Sequence, residues 1–336
     1  MQEWEKRLSA CMLCPRRCKA NRLAGERGVC GAAAAVRAAR AALHMWEEPC
    51  ISGTRGCGAV FFSGCPLHCV YCQNEKIAGG EYGIEISPER LAEIFLELQE
   101  KGANNINLVT PGHYVPQIQR AIDIARAQRM ALPIVYNTGG YESVETIRSL
   151  EGYVDVYLPD LKYMDAATAE KYSHAPDYFF YARRAIEEMV RQSGPPRFVT
   201  EKTIEESVKA GRARWKEERQ MGPEEYGKLP ESDTGILVRG TLVRHLLLPG
   251  GLWDAKRIVN YLLETYGGKI YISLLNQYTP GKFAANYKEL SERVEREDYE
   301  ALVDYAIACG IENGFIQEAD AADEAFIPEF DGSGIQ

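Results

Sequence analysis

Short apolar and β-branched runs recur along the chain from residue 59 onward, and each is long enough for one buried strand. The runs lie at residues 59–62, 106–109, 133–136, 154–158, 242–248 and 269–275. They are nearly continuous in apolar residues rather than alternating, which is typical of strands covered on both faces. The sequence therefore predicts six buried β-strands.

The segments between these runs repeat apolar residues with the period of a helix. After the first run, Ser87 is suited to cap a helix that begins at Pro88 and stops at Gly102. Its apolar face consists of Leu91, Ile94, Phe95 and Leu98. Similar patterns follow at residues 118–125, 144–150, 258–262 and 302–309. Helical crossovers between buried strands indicate an α/β protein with a parallel sheet, although the pattern does not separate a barrel from an open sheet.

Two segments interrupt this alternation. Residues 194–233 carry charges of both signs and are predicted to form a solvated helical insertion rather than a binding site. The alanine-rich run at residues 32–42 fits either a helix or a strand. The tail at residues 319–336 is acidic and rich in small residues, and its role cannot be predicted from its composition.

Composition and charge narrow the classes of function. The chain has 336 residues, a formal net charge of −9 and a sequence pI near 5.3, which argues against binding to a nucleic-acid backbone. No apolar run approaches the roughly 18 residues that a membrane helix needs, and the first residues lack the apolar core of a secretory signal. We therefore expect a cytoplasmic protein that binds neither nucleic acid nor membrane.

The ten cysteines are distributed unevenly, with nine before residue 73 and only Cys309 beyond it. Thiols are kept reduced in the cytoplasm, so such a cluster there indicates metal binding or catalysis rather than disulfides. Cys65, Cys69 and Cys72 lie directly after the first predicted strand, where a parallel sheet places its chemistry. Three thiolates in this loop can hold three corners of a cubane iron–sulfur cluster and leave the fourth iron open. The alternative is a zinc site with a distant fourth ligand, or a set of buried structural thiols.

The segment Cys65-x-x-x-Cys69-x-Tyr71-Cys72, followed by a βα repeat, resembles the radical S-adenosylmethionine superfamily. Further segments at the strand ends resemble pyruvate formate-lyase activating enzymes, namely Asn137-Thr138-Gly139-Gly140, Asp160-Leu161-Lys162, Val243-Arg244 with Pro249-Gly250, and Leu274-Leu275 before Asn276-Gln277-Tyr278. The similarity covers about residues 57–280, and the whole chain resembles one branch of that group. It implies a partial (β/α)6 TIM-like barrel of parallel strands at residues 57–318, with an insertion at about 194–233, a cysteine-rich extension at 1–56 and a tail at 319–336.

The resemblance also implies the chemistry. Cys65, Cys69 and Cys72 would hold a [4Fe–4S] cluster whose open iron chelates the amino and carboxylate groups of S-adenosylmethionine. One electron from the reduced cluster would break a carbon–sulfur bond, and the 5′-deoxyadenosyl radical would abstract hydrogen from a substrate. The implied partners are a reductant such as a flavodoxin or ferredoxin and, for an activating enzyme, a separate glycyl radical protein.

Carried over position by position, the resemblance implies cofactor contacts at the strand ends. They involve Tyr71, Thr110, Gly112, His113, Asn137, Thr138, Gly139, Asp160, Lys162, Arg244, Asn276 and Gln277. Two positions depart from the family pattern, because Thr110-Pro111-Gly112-His113 stands where a Gly-Gly-Glu stretch is usual and Asn137 stands where an aspartate is usual. Arg244 is expected to reach the cofactor carboxylate with its planar guanidinium.

Structural alternatives remain open for several of these residues. Asp160 and Lys162 can form a structural ion pair at the barrel rim, and Arg244 can be a surface arginine. His113 can be a loop histidine bonded to the backbone, and Asn276 and Gln277 can cap a loop.

A second group of cysteines lies at the amino terminus. Cys11, Cys14, Cys18 and Cys30 have a spacing that suits zinc or a second iron–sulfur cluster, and spacing does not distinguish these metals. Reduced structural thiols without a metal are the alternative.

The sequence supports three hypotheses. In the first, a radical S-adenosylmethionine enzyme acts on a glycyl radical enzyme. The second keeps the chemistry but assigns it to a small molecule or another macromolecule, and the third is a non-catalytic iron–sulfur electron carrier.

Overall fold

The computed structural model describes residues 3–230, 235–317 and 328–336, and in these ranges the chain forms one mixed sheet covered by helices. The strands are β1 (Val36–His44), β2 (Cys57–Phe62), β3 (Ile84–Ile86), β4 (Ile106–Val109), β5 (Ile134–Thr138), β6 (Val156–Pro159), β7 (Arg197–Thr200), β8 (Gly235–Leu246), β9 (Tyr271–Leu275) and β10 (Gly314–Ile316). The order in the sheet is β10-β9-β8-β6-β5-β4-β2-β1-β3, with β7 paired to β8 beside this path.

The six predicted strands are β2, β4, β5, β6, β8 and β9, and each is parallel to the next. This confirms the prediction of an α/β fold with a mostly parallel sheet. Because these strands run in the same direction, their carboxyl ends meet at one rim. No strand ladder within the described ranges joins β3 to β10, so the sheet is a partial TIM-like barrel that hydrogen bonds do not close.

The helices of the described residues alternate with the strands. They are α1 (Glu3–Ser9), α2 (Pro49–Ser52), α3 (Glu75–Ala78), α4 (Pro88–Glu100), α5 (Val115–Ala127), α6 (Val144–Ser149), α7 (Ala166–Ser173), α8 (Tyr178–Ser193), α9 (Glu201–Ala210), α10 (Pro223–Tyr226), α11 (Leu252–Tyr266) and α12 (Arg296–Ala308). In α4 the Ser87 side chain accepts a hydrogen bond from the Arg90 amide, as its position predicts, and the apolar face is buried against the sheet. No helix among the described residues is long and apolar enough to cross a membrane.

The alanine-rich run is a strand. β1 pairs antiparallel with β2 on one side and with β3 on the other, so the extension adds one antiparallel strand to the sheet. The carboxyl-terminal residues 328–336 lie against β1, where the Ala41 amide donates to the Ser333 carbonyl at 2.9 Å and Ile335 is buried. Residues 318–327, which include the first half of the predicted tail, lie outside the described residues.

The prediction of a solvated helical insertion at residues 194–233 is wrong in part. It contains the helices α9 and α10, but β7 pairs antiparallel with the first half of β8. Trp215 is 2% exposed, and its indole nitrogen donates to the Ala131 carbonyl at 2.8 Å. Although this segment carries many charges, Trp215 packs into the main hydrophobic core and attaches the insertion to it. Residues 231–233 lie outside the described ranges.

Candidate functional site at the strand ends

The cysteine loop leaves β2 through a turn that depends on two unusual backbone conformations. Gly64 has φ 98°, and a Cβ there would stand 2.4 Å from the Cys30 carbonyl oxygen, so only glycine fits. His68, between the first two cysteines, has φ 49° and hydrogen-bonds through Nε2 to the Val29 carbonyl at 2.7 Å. The amino-terminal extension therefore contacts the loop on both sides of Cys65.

Arg16 provides a third contact from the extension. Its guanidinium donates to the Pro66 carbonyl at 2.9 Å and to the Ser173 carbonyl at 3.2 Å, and it lies over the ring of Tyr141. A single planar side chain thus joins the cysteine loop to the end of α7. These contacts fix the loop from outside the barrel.

Cys65, Cys69 and Cys72 are half-buried and line one cavity at the carboxyl ends of the strands. Burial raises the pKa of Cys65 to about 11, and the neighbouring Cys69 adds to the effect. The Sγ of Cys69 accepts a hydrogen bond from the Ser173 hydroxyl at 3.0 Å. Thiolate ligation at this loop therefore has to be coupled to proton release.

The cavity collects most of the residues that the sequence predicts at the cofactor. Besides the three cysteines, these are Tyr71, Thr110, Asn137, Thr138, Gly139, Asp160, Lys162, Arg244 and Gln277. They come from the ends of β2, β4, β5, β6, β8 and β9, because parallel strands bring sequence-distant residues to one rim.

Three predicted residues do not line this cavity. His113 is 2% exposed and hydrogen-bonds to the Ser63 carbonyl at 2.8 Å, and burial lowers its pKa to about 3. It supports the cysteine loop from behind as a neutral imidazole, which agrees with the alternative of a backbone-bonded histidine. Gly112 faces the Glu142 carboxyl group, and the Asn276 amide donates to the Gln317 side chain at 2.9 Å.

Arg244 is already paired inside the barrel. Its guanidinium donates to Asp160 at 2.9 Å, to Glu47 at 2.8 Å and to the Asn137 side chain at 2.7 Å. Lys162 donates to the other oxygen of Asp160 at 2.7 Å. Burial alone would raise the pKa of Asp160, but Arg244 and Lys162 outweigh burial and hold it below its ordinary value. The expectation that Arg244 is available for a cofactor carboxylate therefore differs from the structure.

Glu47 is a cavity residue that the sequence reasoning missed. It follows β1, and its second oxygen accepts hydrogen bonds from Asn107 and Asn137 at 3.0 and 2.9 Å. Glu47 lies beside Glu48 in the turn after β1, and no sequence pattern distinguishes it as a cavity residue.

Glu142 is a second missed carboxyl group. It accepts hydrogen bonds from Thr138 at 2.6 Å and Tyr136 at 3.2 Å, and its Oε2 has no partner among the described residues. Burial raises its pKa to about 7. Glu142 follows Gly139-Gly140 in the loop after β5, and only its contact with Gly112 in three dimensions relates it to the end of β4.

In the described ranges, no three His, Cys, Asp or Glu side chains are close enough together to hold a metal ion. A cubane cluster spreads its thiolate ligands around four irons rather than around one ion, so the requirement on Cys65, Cys69 and Cys72 is different. A metal at Cys11, Cys14, Cys18 and Cys30 remains a prediction.

The structure combines a partial barrel of parallel strands with three thiols in the loop after β2, and these thiols line a cavity at the carboxyl ends of the strands. Residues 59–201, which contain the cysteine loop, match the family model of the radical SAM superfamily. The chain therefore contains a radical SAM superfamily domain over this segment. The cofactors of that superfamily are a [4Fe–4S] cluster and S-adenosylmethionine.

Similarity to individual proteins is more distant. Over 181 residues the chain is 29% identical to the uncharacterized protein MJ0674 of Methanocaldococcus jannaschii, with 52% of this chain and 52% of MJ0674 covered. The chain thus spans about half the length of this curated relative.

Two solved structures have a related shape at low identity. Streptococcus suis SuiB bound to the precursor peptide SuiA is 11% identical with a TM-score of 0.45, covering 76% of this chain and 46% of SuiB. The FeFe-hydrogenase maturase HydG from Carboxydothermus hydrogenoformans is 13% identical with a TM-score of 0.40, covering 80% of this chain and 59% of HydG. Similarity at this level does not identify an activity.

Proposed function

We propose that this protein is a radical S-adenosylmethionine enzyme that reductively cleaves S-adenosylmethionine and abstracts hydrogen from a substrate. One observation carries the proposal: Cys65, Cys69 and Cys72 line a cavity together with polar residues from the ends of the other parallel strands. A non-catalytic electron carrier needs the cysteines but has no need of a polar cavity beside them. The arrangement therefore favours catalysis over the electron carrier.

The three thiols suit a [4Fe–4S] cluster because they occupy one loop and leave one iron without a protein ligand. When bound, the cluster supplies the electron that cleaves a carbon–sulfur bond of S-adenosylmethionine, and the released adenosyl radical abstracts hydrogen. The chain's own residues bind and orient the reactants and exclude water. A one-electron donor such as a flavodoxin or ferredoxin would have to supply the electron, which makes the reaction an oxidoreductase type.

Lys162, rather than Arg244, is the cation that we propose for the cofactor carboxylate. Its ammonium group has three donors, and one of them goes to Asp160. It lies 6.0 Å from the ring centroid of Tyr71, the aromatic residue directly before Cys72. The guanidinium of Arg244, in contrast, already contacts three acceptors. The remaining predicted contacts at Thr110, Thr138, Gly139 and Gln277 would orient the rest of the cofactor.

The finer proposal is that the hydrogen comes from a glycyl radical enzyme. It is supported by the resemblance of the segments at residues 137–140 and 160–162 to activating enzymes. If it is correct, anaerobic incubation with a candidate glycyl radical protein will produce a glycyl radical signal by electron paramagnetic resonance. Deuterium transfer from a labelled small molecule or another macromolecule into 5′-deoxyadenosine would instead support the alternative substrates.

We further propose that Cys11, Cys14, Cys18 and Cys30 bind zinc or a second iron–sulfur cluster within a cysteine-rich extension at residues 1–56. Burial raises the pKa of Cys14 to about 12, with Cys30 and Cys11 as nearby thiols. Burial also raises the pKa of Cys30, and the nearby thiols of Cys11 and Cys18 add to the effect. Iron and zinc analysis of a variant in which Cys65, Cys69 and Cys72 are all replaced by alanine would identify any metal bound here.

The central experiment measures 5′-deoxyadenosine after anaerobic incubation of the reconstituted protein with S-adenosylmethionine and dithionite. We expect product from the wild type and from a Cys309→Ala control, because Cys309 is an exposed thiol at the end of α12. A Cys69→Ala variant should form none above background. Equal product from the Cys69→Ala variant and the wild type would overturn the proposed function, as would no product from either.

A further inference from the structure

Ser173 is a buried hydroxyl that contacts one of the three cysteines. It is the last residue of α7, is 0% exposed, and its Oγ lies 3.0 Å from the Sγ of Cys69. Its carbonyl oxygen accepts a hydrogen bond from Arg16 at 3.2 Å, so the backbone beneath the hydroxyl is held in place. A thiolate that ligates iron carries no proton, and therefore Ser173 must be the donor in that state.

Two tyrosines extend this contact into a chain of hydroxyl groups. The Tyr163 hydroxyl lies 2.8 Å from Ser173 Oγ, and the Tyr71 hydroxyl is hydrogen-bonded to that of Tyr163. Each hydroxyl has only one proton to donate. When Ser173 donates to Cys69, Tyr163 has to donate to Ser173, and Tyr71 has to donate to Tyr163. The number of protons therefore fixes one direction of donation, from Tyr71 to Tyr163, from Tyr163 to Ser173, and from Ser173 to the Cys69 sulfur.

The hydrogen bonds between these hydroxyl groups are stronger than they would be in water, because the groups are buried. Tyr71 is 6% exposed and Tyr163 is 1% exposed, and the rings of Tyr278 and Tyr178 pack against them. Hydrogen bonds in a region of low dielectric constant are stronger, and successive bonds polarise one another. The donor on Cys69 is therefore a fixed and polarised dipole.

We propose that Ser173 is a positioning residue that raises the reduction potential of the cluster on Cys65, Cys69 and Cys72, with Tyr163 and Tyr71 fixing the direction of its proton. The inference rests on the proposed function. Reduction adds one electron to the cluster, and part of the added negative charge falls on the ligating sulfurs. A hydrogen bond donated to a sulfur stabilises that charge, so the reduced state is favoured.

The test is a redox titration of the reconstituted protein, with dithionite as the reductant and the reduced cluster measured by electron paramagnetic resonance. We expect Ser173→Ala to lower the potential, with a decrease of up to tenfold in the equilibrium constant for reduction, which for one electron corresponds to about 59 mV. Tyr163→Phe should lower it less, because Ser173 still donates, and Tyr71→Phe should lower it least. Ser173→Thr keeps the hydroxyl and should restore most of the wild-type potential.

A matched control separates this effect from general damage to the core. Ser193→Ala also removes a buried serine hydroxyl, but that hydroxyl donates to the Met189 carbonyl within α8. Its cluster should keep the wild-type potential. If Ser173→Ala does not fold, the two tyrosine variants still test the proposal, because each removes only one oxygen atom.

The outcomes separate the inference from the proposed function. A wild-type protein that cleaves S-adenosylmethionine, together with unchanged potentials in the Ser173→Ala and Tyr163→Phe variants, would overturn the inference alone. A wild-type protein that assembles no cluster would overturn both. A decrease in potential that is largest in Ser173→Ala, smaller in Tyr163→Phe and smallest in Tyr71→Phe would support the proposed series of hydrogen bonds.

Discussion

Arg244 and Asp160 are joined twice, once through the backbone and once through their side chains. A parallel β-bridge links the two residues, and the Arg244 guanidinium donates to the Asp160 carboxylate at 2.9 Å. Glu47, from the amino-terminal extension, accepts from the same guanidinium at 2.8 Å. The interior of the barrel thus contains a partly buried charge network that includes a residue from outside the parallel strands.

Removing the guanidinium should leave two carboxylates without their main counter-charge. We expect Arg244→Met to reduce the free energy of unfolding by about 1.5 to 3 kcal/mol, because two partly buried carboxylates lose their hydrogen bonds from a charged group. Adding Glu47→Gln should recover part of the loss. Urea unfolding measures both, and Arg257→Met, which removes an exposed pair with Asp254, should change stability by less than about 1 kcal/mol. Equal effects of the two arginine variants would contradict the network.

Glu142 should make the stability of the protein depend on pH. Its pKa rises from 4.5 to about 7 on folding because the carboxyl group is buried. A raised pKa of an acid disfavours the folded state wherever the unfolded chain is ionised, so the penalty is absent below pH 4.5 and complete above pH 7. With the pKa at about 7 in the folded protein, this penalty should amount to about 3 kcal/mol.

Glu142→Gln should therefore gain stability relative to the wild type as the pH rises from 4.5 to 7. Urea unfolding at several pH values measures the difference between the two proteins. Glu145→Gln, an exposed neighbour, is the matched control and should show no such trend. A difference between Glu142→Gln and the wild type that stays constant from pH 4 to pH 8 would refute the prediction.

Trp215 should anchor the insertion. Replacing this buried indole by alanine leaves a large cavity, removes the hydrogen bond to Ala131, and should cost about 3 to 5 kcal/mol. Trp253→Ala, which removes a tryptophan that is 76% exposed, should change stability by less than about 1 kcal/mol. Thermal or urea unfolding compares them, and similar stabilities would show that the insertion does not contribute to the core.

Arg16 should stabilise the cysteine loop against loss of iron. Arg16→Ala removes hydrogen bonds to Pro66 and Ser173 and should increase the rate of iron loss to a chelator severalfold, because the loop opens more readily. Arg17→Ala is the control, since Arg17 is the exposed neighbour. The rate is measured from the decay of cluster absorbance. The same rate in both variants would show that Arg16 does not stabilise the cysteine loop.

The sequence pattern predicts the parallel strands well because burial on both faces produces continuous apolar runs. It also identifies the cysteine loop, because its three cysteines are close together in the chain. Glu47, Glu142 and Ser173 could not be predicted, because each is a single polar residue whose partners lie far away in the sequence. The sequence left two alternatives open for His113 and Asn276 for a related reason: adjacency to a strand end does not determine which way a side chain points.

The contacts of the cysteine loop can form only in a fixed order while the protein is being synthesised. Synthesis proceeds from the amino terminus, so Arg16 and Val29 have already left the ribosome when the three cysteines emerge. Ser173 follows about a hundred residues later. The growing chain can therefore hold the outer side of the loop early, but it cannot complete the hydrogen bond to Cys69 until α7 is made.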